Sequence, residues 1–269
     1  MEVIDNARAR WLPATNQYFG LLERVHQYLV PRTYVEIGVS TGNSMTLALL
    51  GTACVGVDPA PNIQYPLVPG TQIFAQTSDD FFAERSLSDV LKGLPLDLAF
   101  IDGMHQFEFA LRDFINLERA SNPTTTILIH DTLPVDELTA ERDRQSDCWS
   151  GDIWRLILLL KDWRPDLQVA VVNSAPTGVG VVRGLDPTST TLTDHYDEIV
   201  EHYLSIPYSD LEQGSKAEML NQIPGTWDTV QPILPDRPFR HSNVQLLKAR
   251  KLFRNKMLEF RNGPKAVNS

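Results

Sequence analysis

The chain predicts an α/β fold, an open and mostly parallel sheet with helices on both faces. Three observations carry this. Short apolar runs that suit buried strands alternate five times with helix-like stretches. The first of these runs passes through a glycine-rich turn and is followed by a second run ending in an acid, Asp58. The last two runs are joined by the short turn Pro176-Thr177-Gly178, which forces an antiparallel hairpin, because a parallel connection needs a dozen residues or more. With 269 residues, one α/β domain with appendages is the economical arrangement.

In chain order, Trp11, Tyr18, Phe19, Leu21, Leu22, Val25, Tyr28 and Leu29 are spaced as one apolar helix face, which Pro31 stops. This helix would cover the sheet or the cofactor mouth. Tyr34 to Ile37 is a strand, Gly38 to Gly42 a turn, Asn43-Ser44 capping chemistry and Met45 to Leu50 a helix. Ala53 to Val57 is the second strand. The Pro-rich link after Asp58 is loop, and Thr71 to Gln76 is a third strand. Thr77 to Asp80 caps a helix running to about Leu91. Leu96 to Asp102 is a fourth strand, followed by a turn and a helix over 103–120, and Thr124 to Asp131 is a fifth. A helix over 151–163 precedes the hairpin strands Leu167 to Asn173 and Val179 to Val182. Beyond residue 186 the pattern thins. A helix is expected over 193–205, an extended arm over 206–240 and a basic helix from Val244 to Phe260. The domains are therefore an N-terminal helical cap (1–32), a central domain (33–205) and a C-terminal arm with its basic helix (206–269).

Composition excludes several classes. The net charge of −10 argues against general nucleic-acid binding, although nine Lys/Arg against one acid concentrate from Arg237 to Ser269. No apolar run reaches the roughly eighteen residues of a membrane span, and MEVIDNARARW lacks the apolar core of a secretory signal. Two cysteines, Cys54 and Cys148, offer neither a disulfide framework nor metal-type spacing. The expectation is a cytoplasmic protein, with homo-oligomerisation, if any, through the termini.

The stretch YVEIGVSTGNSMTLALLGTACVGVD, residues 34–58, carries the cofactor argument. Gly38 and Gly42 let the backbone turn sharply and approach a ligand. Asp58, twenty residues past Gly38, can present its carboxylate to a ribose diol from a second parallel strand. A dinucleotide site would want G-x-G-x-x-G. Here the spacing is E-x-G-x-S-x-G, and Glu36 would repel a pyrophosphate but suit a cation. This pattern resembles motif I of the class I S-adenosylmethionine-dependent methyltransferases, with Ser40 in place of the middle glycine. The resemblance implies a Rossmann-like, seven-stranded sheet of order 3-2-1-4-5-7-6. It also implies Glu36, Gly38, Ser40 and Gly42 around the amino-acid end of the cofactor, Asp58 at the ribose, Ser78 near the adenine and Asp102 alongside.

The fourth strand ends in Asp102-Gly-Met-His105 and the fifth in His130-Asp131. As neighbours, the strands would put two carboxylates and two imidazoles at one mouth, an arrangement that wants a shared proton or a cation such as Mg²⁺. IDGMHQFEFALRDF with ILIHD resembles the small-molecule O-methyltransferases that include the macrocin-type sugar enzymes. That resemblance implies His105 as general base, and Asp102, His130 and Asp131 as ligands of Mg²⁺ or another divalent metal. His130 departs from the family's carboxylate and favours softer ions. Glu108 and Asp113 read as solvent-facing or supporting residues. Trp149, Asp152 and Trp154 could shape a pocket for a small-molecule hydroxyl acceptor, although Trp154 suits a core equally well. Residues 134–145 read as a mobile lid.

Three functions compete: an O-methyltransferase acting on a sugar or glycosylated natural product, an NAD-dependent oxidoreductase, and a non-catalytic binding or assembly module whose working end is the basic helix.

Overall fold

The structure, a computed structural model, describes residues 17–236. Helix α1 spans Tyr18–Leu29 and buries Leu21, Leu22, Val25 and Leu29 along one stripe. It ends as Val30 turns into the left-handed region (φ 49°) ahead of Pro31, so the helix stops where the sequence places its stop. The part of the expected helix before residue 17 lies outside the described residues.

The sheet is built from β1 (Thr33–Ile37), β2 (Ala53–Asp58), β3 (Gln72–Ala75), β4 (Leu98–Ile101), β5 (Thr126–His130), β6 (Gln168–Asn173), β7 (Val179–Arg183) and β8 (Gln222–Pro224). Their order is β3-β2-β1-β4-β5-β7-β6-β8. The first five strands are parallel, and β7 runs antiparallel between β5 and β6. The predicted order therefore holds for seven strands. The eighth comes from the segment expected as an extended arm and pairs parallel with β6.

The helices are α2 (Ser78–Glu84), α3 (Leu87–Val90), α4 (Phe107–Arg119), α5 (Trp154–Trp163), α6 (Thr191–Asp194), α7 (Tyr196–Ser205), α8 (Tyr208–Gln213), α9 (Lys216–Met219) and α10 (Trp227–Val230). The single helix expected after Thr77 is two. Ser86 accepts a hydrogen bond from the Ser88 amide (3.2 Å) and starts a second N-terminus inside the run. The run Met45–Leu50 is not an α-helix either. It forms one 3₁₀ turn, Ser44–Leu47. Leu47, Ala48 and Leu49 are all buried in succession, and consecutive residues cannot share one stripe of an α-helix. Asn43 and Ser44 make no helix-capping bond.

Parity along the central strands divides the core in two. Val35, Ile37, Val55, Val57, Ala99, Ile101, Ile127 and Ile129 pack with α4 and α5 on one face. Tyr34, Cys54, Leu98, Phe100 and Leu128 pack with α1 and the 3₁₀ turn on the other. Alternation between two buried faces is what near-continuous apolar strands require. The arm folds back on the first layer: Tyr208, Leu211 and Leu220 are buried there, and Lys161 Nζ donates to the carbonyls of Glu218 (2.8 Å) and Met219 (2.6 Å). The basic helix expected from Val244 lies outside the described residues.

Candidate active site

The carboxyl ends of β1, β2, β4 and β5 open into a cavity of about 760 Å³, a volume suited to a small ligand. One side of it is backbone. Gly38 turns with φ 86°, its amide donates to Val57 O (2.8 Å), and a Cβ there would overlap the backbone of Asp102. Gly42 (φ 84°) closes the turn through its amide to Val39 O (2.8 Å). Ser40, also left-handed (φ 48°), directs its amide to Asp58 Oδ2 (2.7 Å), and the Ala60 amide donates to Asp58 Oδ1 (2.7 Å). Asp58 is thus planted by two amides at the rim of the cavity it lines.

Glu36 sits deeper than the sequence suggests. It is fully buried and does not line the cavity. It accepts hydrogen bonds from Tyr34 Oη (2.7 Å) and Ser44 Oγ (2.5 Å). Burial pushes its carboxyl up to about 8; the two hydroxyl donors oppose this, and the charges of Asp102 and Asp58 add to it. Ser44 is the residue of this pair that faces the cavity. The eight-residue spacing of Ser44 from Glu36 in the sequence carried that signal only once the turn was folded.

The other side is made of titratable side chains. Asp102 leaves β4, and its Oδ1 accepts from His130 Nδ1 (2.9 Å) and lies 3.6 Å from His105 Nε2. Asp131 follows β5 in the left-handed region (φ 62°), and its Oδ1 accepts from Thr177 Oγ1. Its buried Oδ2 lies 3.1 Å from His130 Nδ1 and 3.2 Å from His105 Nδ1 without an aligned hydrogen bond to either. His105 also places Nδ1 3.0 Å from Trp149 O, and its ring stacks on the Trp149 indole with centroids 4.8 Å apart. Tyr18 of α1 closes the cavity from above, its ring 4.1 Å from that of His130.

Burial would lower both imidazoles, but the hydrogen bonds and charges of Asp102 and Asp131 outweigh it and hold both above the ordinary histidine value. Asp102 is opposed by burial and ends near 2 because His130 and His105 face it. Asp102, His105 and Asp131 can each present one donor atom, all within 4.8 Å of one another. Two carboxylates, one of them with an unaligned buried oxygen, and one imidazole fit a divalent cation. The trio contains His105, where the sequence reading has His130. His130 is engaged with Asp102 and backed by Tyr18.

The expected acceptor residues divide. Trp149 lines the cavity. Trp154 is fully buried in the core, and Asp152, also fully buried, accepts from the Phe107 amide (2.7 Å), Arg142 Nη1 (2.6 Å) and Arg155 Nε (3.2 Å). Neither lines the cavity. The segment read as a lid is tied down: Arg142 also pairs with Glu108 (2.7 Å), and Thr139 caps its own turn through Asp136. Gly151 (φ 59°) lets this loop touch the backbone of His105, where a Cβ would overlap the carbonyl. Ser78 lines the cavity, with Thr77 capping α2 beside it. Asp113, read as solvent-facing or supporting, is instead buried and also lines the cavity.

Residues 35–132 match the family model described as a methyltransferase domain. No curated protein sequence matches the chain. Among solved structures, the chain is similar to cofactor-bound Rv0187 from MTB, with a TM-score of 0.51 and 16% identity over 69% of this chain and 88% of that one. It is also similar to an O-methyltransferase from Bacillus cereus in complex with SAH (TM-score 0.47, 19% identity, 68% of this chain and 88% of that one). A third is the O-methyltransferase TomG from Streptomyces achromogenes, involved in tomaymycin synthesis and bound to SAM (TM-score 0.46, 14% identity, 62% and 78%). The likeness to the first of these shows a shared Rossmann-like α/β fold with a mostly parallel sheet. The match to a methyltransferase domain over residues 35–132 agrees with the enzyme class read from the sequence. No helix among the described residues is long and apolar enough to cross a membrane.

Proposed function

We propose that the chain transfers the methyl group of S-adenosylmethionine to a hydroxyl of a small molecule. The observation that carries this is a single cavity holding both the glycine turn with its planted Asp58 and the Asp102–His105–Asp131 cluster. Asp58 has its carboxylate at the rim to take a ribose diol. Gly38 lets the turn pack against the Asp102 backbone, and Ser44, held by Glu36, offers its hydroxyl oxygen to a cationic amino-acid end. When bound, the cofactor supplies an electrophilic methyl sulfonium, so the protein's task is alignment and proton removal.

His105 is the base we assign. It lies beside both carboxylates and is held in orientation by Trp149. Asp102 and Asp131 favour its protonated form, and the imidazole must shed that proton before it can act as a base. With a divalent cation between them, the two carboxylates would no longer do so, and His105 would act as base only where its imidazole is not itself a ligand. Such a cation would lower the pKa of an acceptor hydroxyl. The acceptor class we favour, a sugar or glycosylated natural product, rests on the likeness of the Ile101–Phe114 and Ile127–Asp131 runs to sugar O-methyltransferases.

The test is calorimetric titration of the protein with S-adenosylmethionine and its demethylated product, with and without Mg²⁺ or Mn²⁺. Micromolar binding weakened roughly a hundredfold by Asp58→Ala is expected, as loss of charge-assisted hydrogen bonds of about 1.5–3 kcal/mol would give. Absence of binding by the folded protein under every condition would overturn the reading.

A further inference from the structure

The segment that carries His105 into the cavity runs straight into α4, whose start has no fastening of its own. Gln106 stands at the N-cap and makes no side-chain capping bond, so the first amides of the helix need an acceptor from elsewhere. It comes from another loop. Asp152 Oδ1 accepts from the Phe107 amide at 2.7 Å. The Asp152 amide in turn donates to the His105 carbonyl (3.3 Å). One residue thus grips the backbone at His105 and again at Phe107. Its neighbours tighten the grip: Gly151 lies against the His105 backbone, and the Trp149 carbonyl lies 3.0 Å from His105 Nδ1.

Asp152 does not line the cavity, and its side chain has no exposed surface. A carboxylate so placed is costly unless it is paired. Its two oxygens divide the work. Oδ2 accepts from Arg142 Nη1 (2.6 Å) and Arg155 Nε (3.2 Å), which leaves Oδ1 to the helix. Arg155 is fixed beyond that, its Nη1 donating to the carbonyls of Tyr203 (2.7 Å) and Ile206 at the end of α7. The carboxylate is therefore held from behind and cannot turn away from α4.

We infer that Asp152 is a positioning residue of the site, setting the His105 imidazole against Asp102 and Asp131 by clamping the backbone at His105 and Phe107. This rests on the reading of His105 above and adds what keeps it in place. A working side chain has to be held within a fraction of an ångström of its place, and a residue that never meets the substrate can do that.

The experiment follows carbethoxylation of each histidine of the full chain by diethyl pyrocarbonate, read by peptide mass, in the wild type, Asp152→Ala and Asp152→Asn. His26, fully buried and without a hydrogen-bond partner among the described residues, reports any general loosening. Asp152→Ala is expected to raise the rate at His105 by about fivefold, in line with the loss of one cap, and to leave His26 unchanged. Asp152→Asn keeps an oxygen for the Phe107 amide and should stay within about twofold of the wild type, as a retained cap implies. Should the alanine variant not fold, Asp152→Ser, too short to span the same bond, carries the same expectation. A His105 rate within about twofold of the wild type in the folded alanine or serine variant overturns the inference, a change too small for a lost cap. So does a rise shared equally by His26, or an equal rise in Asp152→Asn. The reagent reads where the imidazole sits and not what it does, so these outcomes leave the base assignment to the transfer assay of His105→Gln, and failure of that assay leaves the clamp standing.

Discussion

Two glycines hold the loop after β4 from opposite sides, and the halves of the site they belong to are built differently. Gly38 lies in the turn after β1 and fits against the Asp102 carbonyl; Gly151 lies in the loop before α5 and fits against the His105 carbonyl. Around Gly38 the site is backbone: the Ser40 and Ala60 amides fix Asp58. Around Gly151 it is four side chains from two segments, Asp102 and His105 after β4 and His130 and Asp131 at the end of β5, whose charges set one another. A backbone site is local in sequence and takes its shape from amides that do not titrate. A side-chain cluster is assembled at long range and titrates.

The strongest way to break the comparison is to add the missing Cβ on each side. Gly38→Ala and Gly151→Ala both place an L-residue at positive φ, a cost of about 1–3 kcal/mol before any overlap is relieved. Each should lower the melting temperature, but Gly38→Ala should abolish nucleoside binding, whereas Gly151→Ala should displace His105 and spare it. Equal loss of binding in both would erase the distinction. Next, His105→Gln should cut methyl transfer to a trial hydroxyl acceptor by roughly 10²–10⁴, the range for a lost general base, with the cofactor Kd little changed. A parallel fall in affinity would place His105 in the cofactor half.

A pH series sharpens it further. The Glu36 carboxyl stands near 8 in the fold against an ordinary 4.5. Between those values the folded chain binds more protons than the unfolded one, so this group makes stability fall as pH rises from about 4.5 to about 8. Glu36→Gln should flatten that part of the melting-temperature profile, and an unchanged slope would refute the assignment. The smallest effect belongs to Arg142→Ala. Arg142 is about one-third exposed, and Asp152 keeps Arg155 and the Phe107 amide. A loss of only about 1 kcal/mol in chemical denaturation is expected.

The same division explains what the sequence made legible. The β1 turn, Asp58 and the acids at the ends of β4 and β5 follow from neighbours within about twenty residues, a spacing the β–α unit imposes. The terminal hairpin was readable because its turn is too short for any other connection. Asp113 and Asp152 were misplaced because their settings come from partners far along the chain: Ser78 and Asp79 for one, Arg142 and the Phe107 amide for the other. The 3₁₀ turn at Ser44 was hidden because Met45–Leu50 has good helix formers, and tertiary burial of consecutive residues overrode them. The eighth strand was hidden because three residues carry too little pattern to announce pairing.

That short strand has a further consequence. Without it, β6 would end the sheet as an open row of peptide groups, a template for another chain. β8 covers β6 over Val171–Asn173 and finishes in Pro224, which has no amide hydrogen to offer a further strand. The chain thus carries its own end-stop, and deleting it would turn a finished edge into an adhesive one.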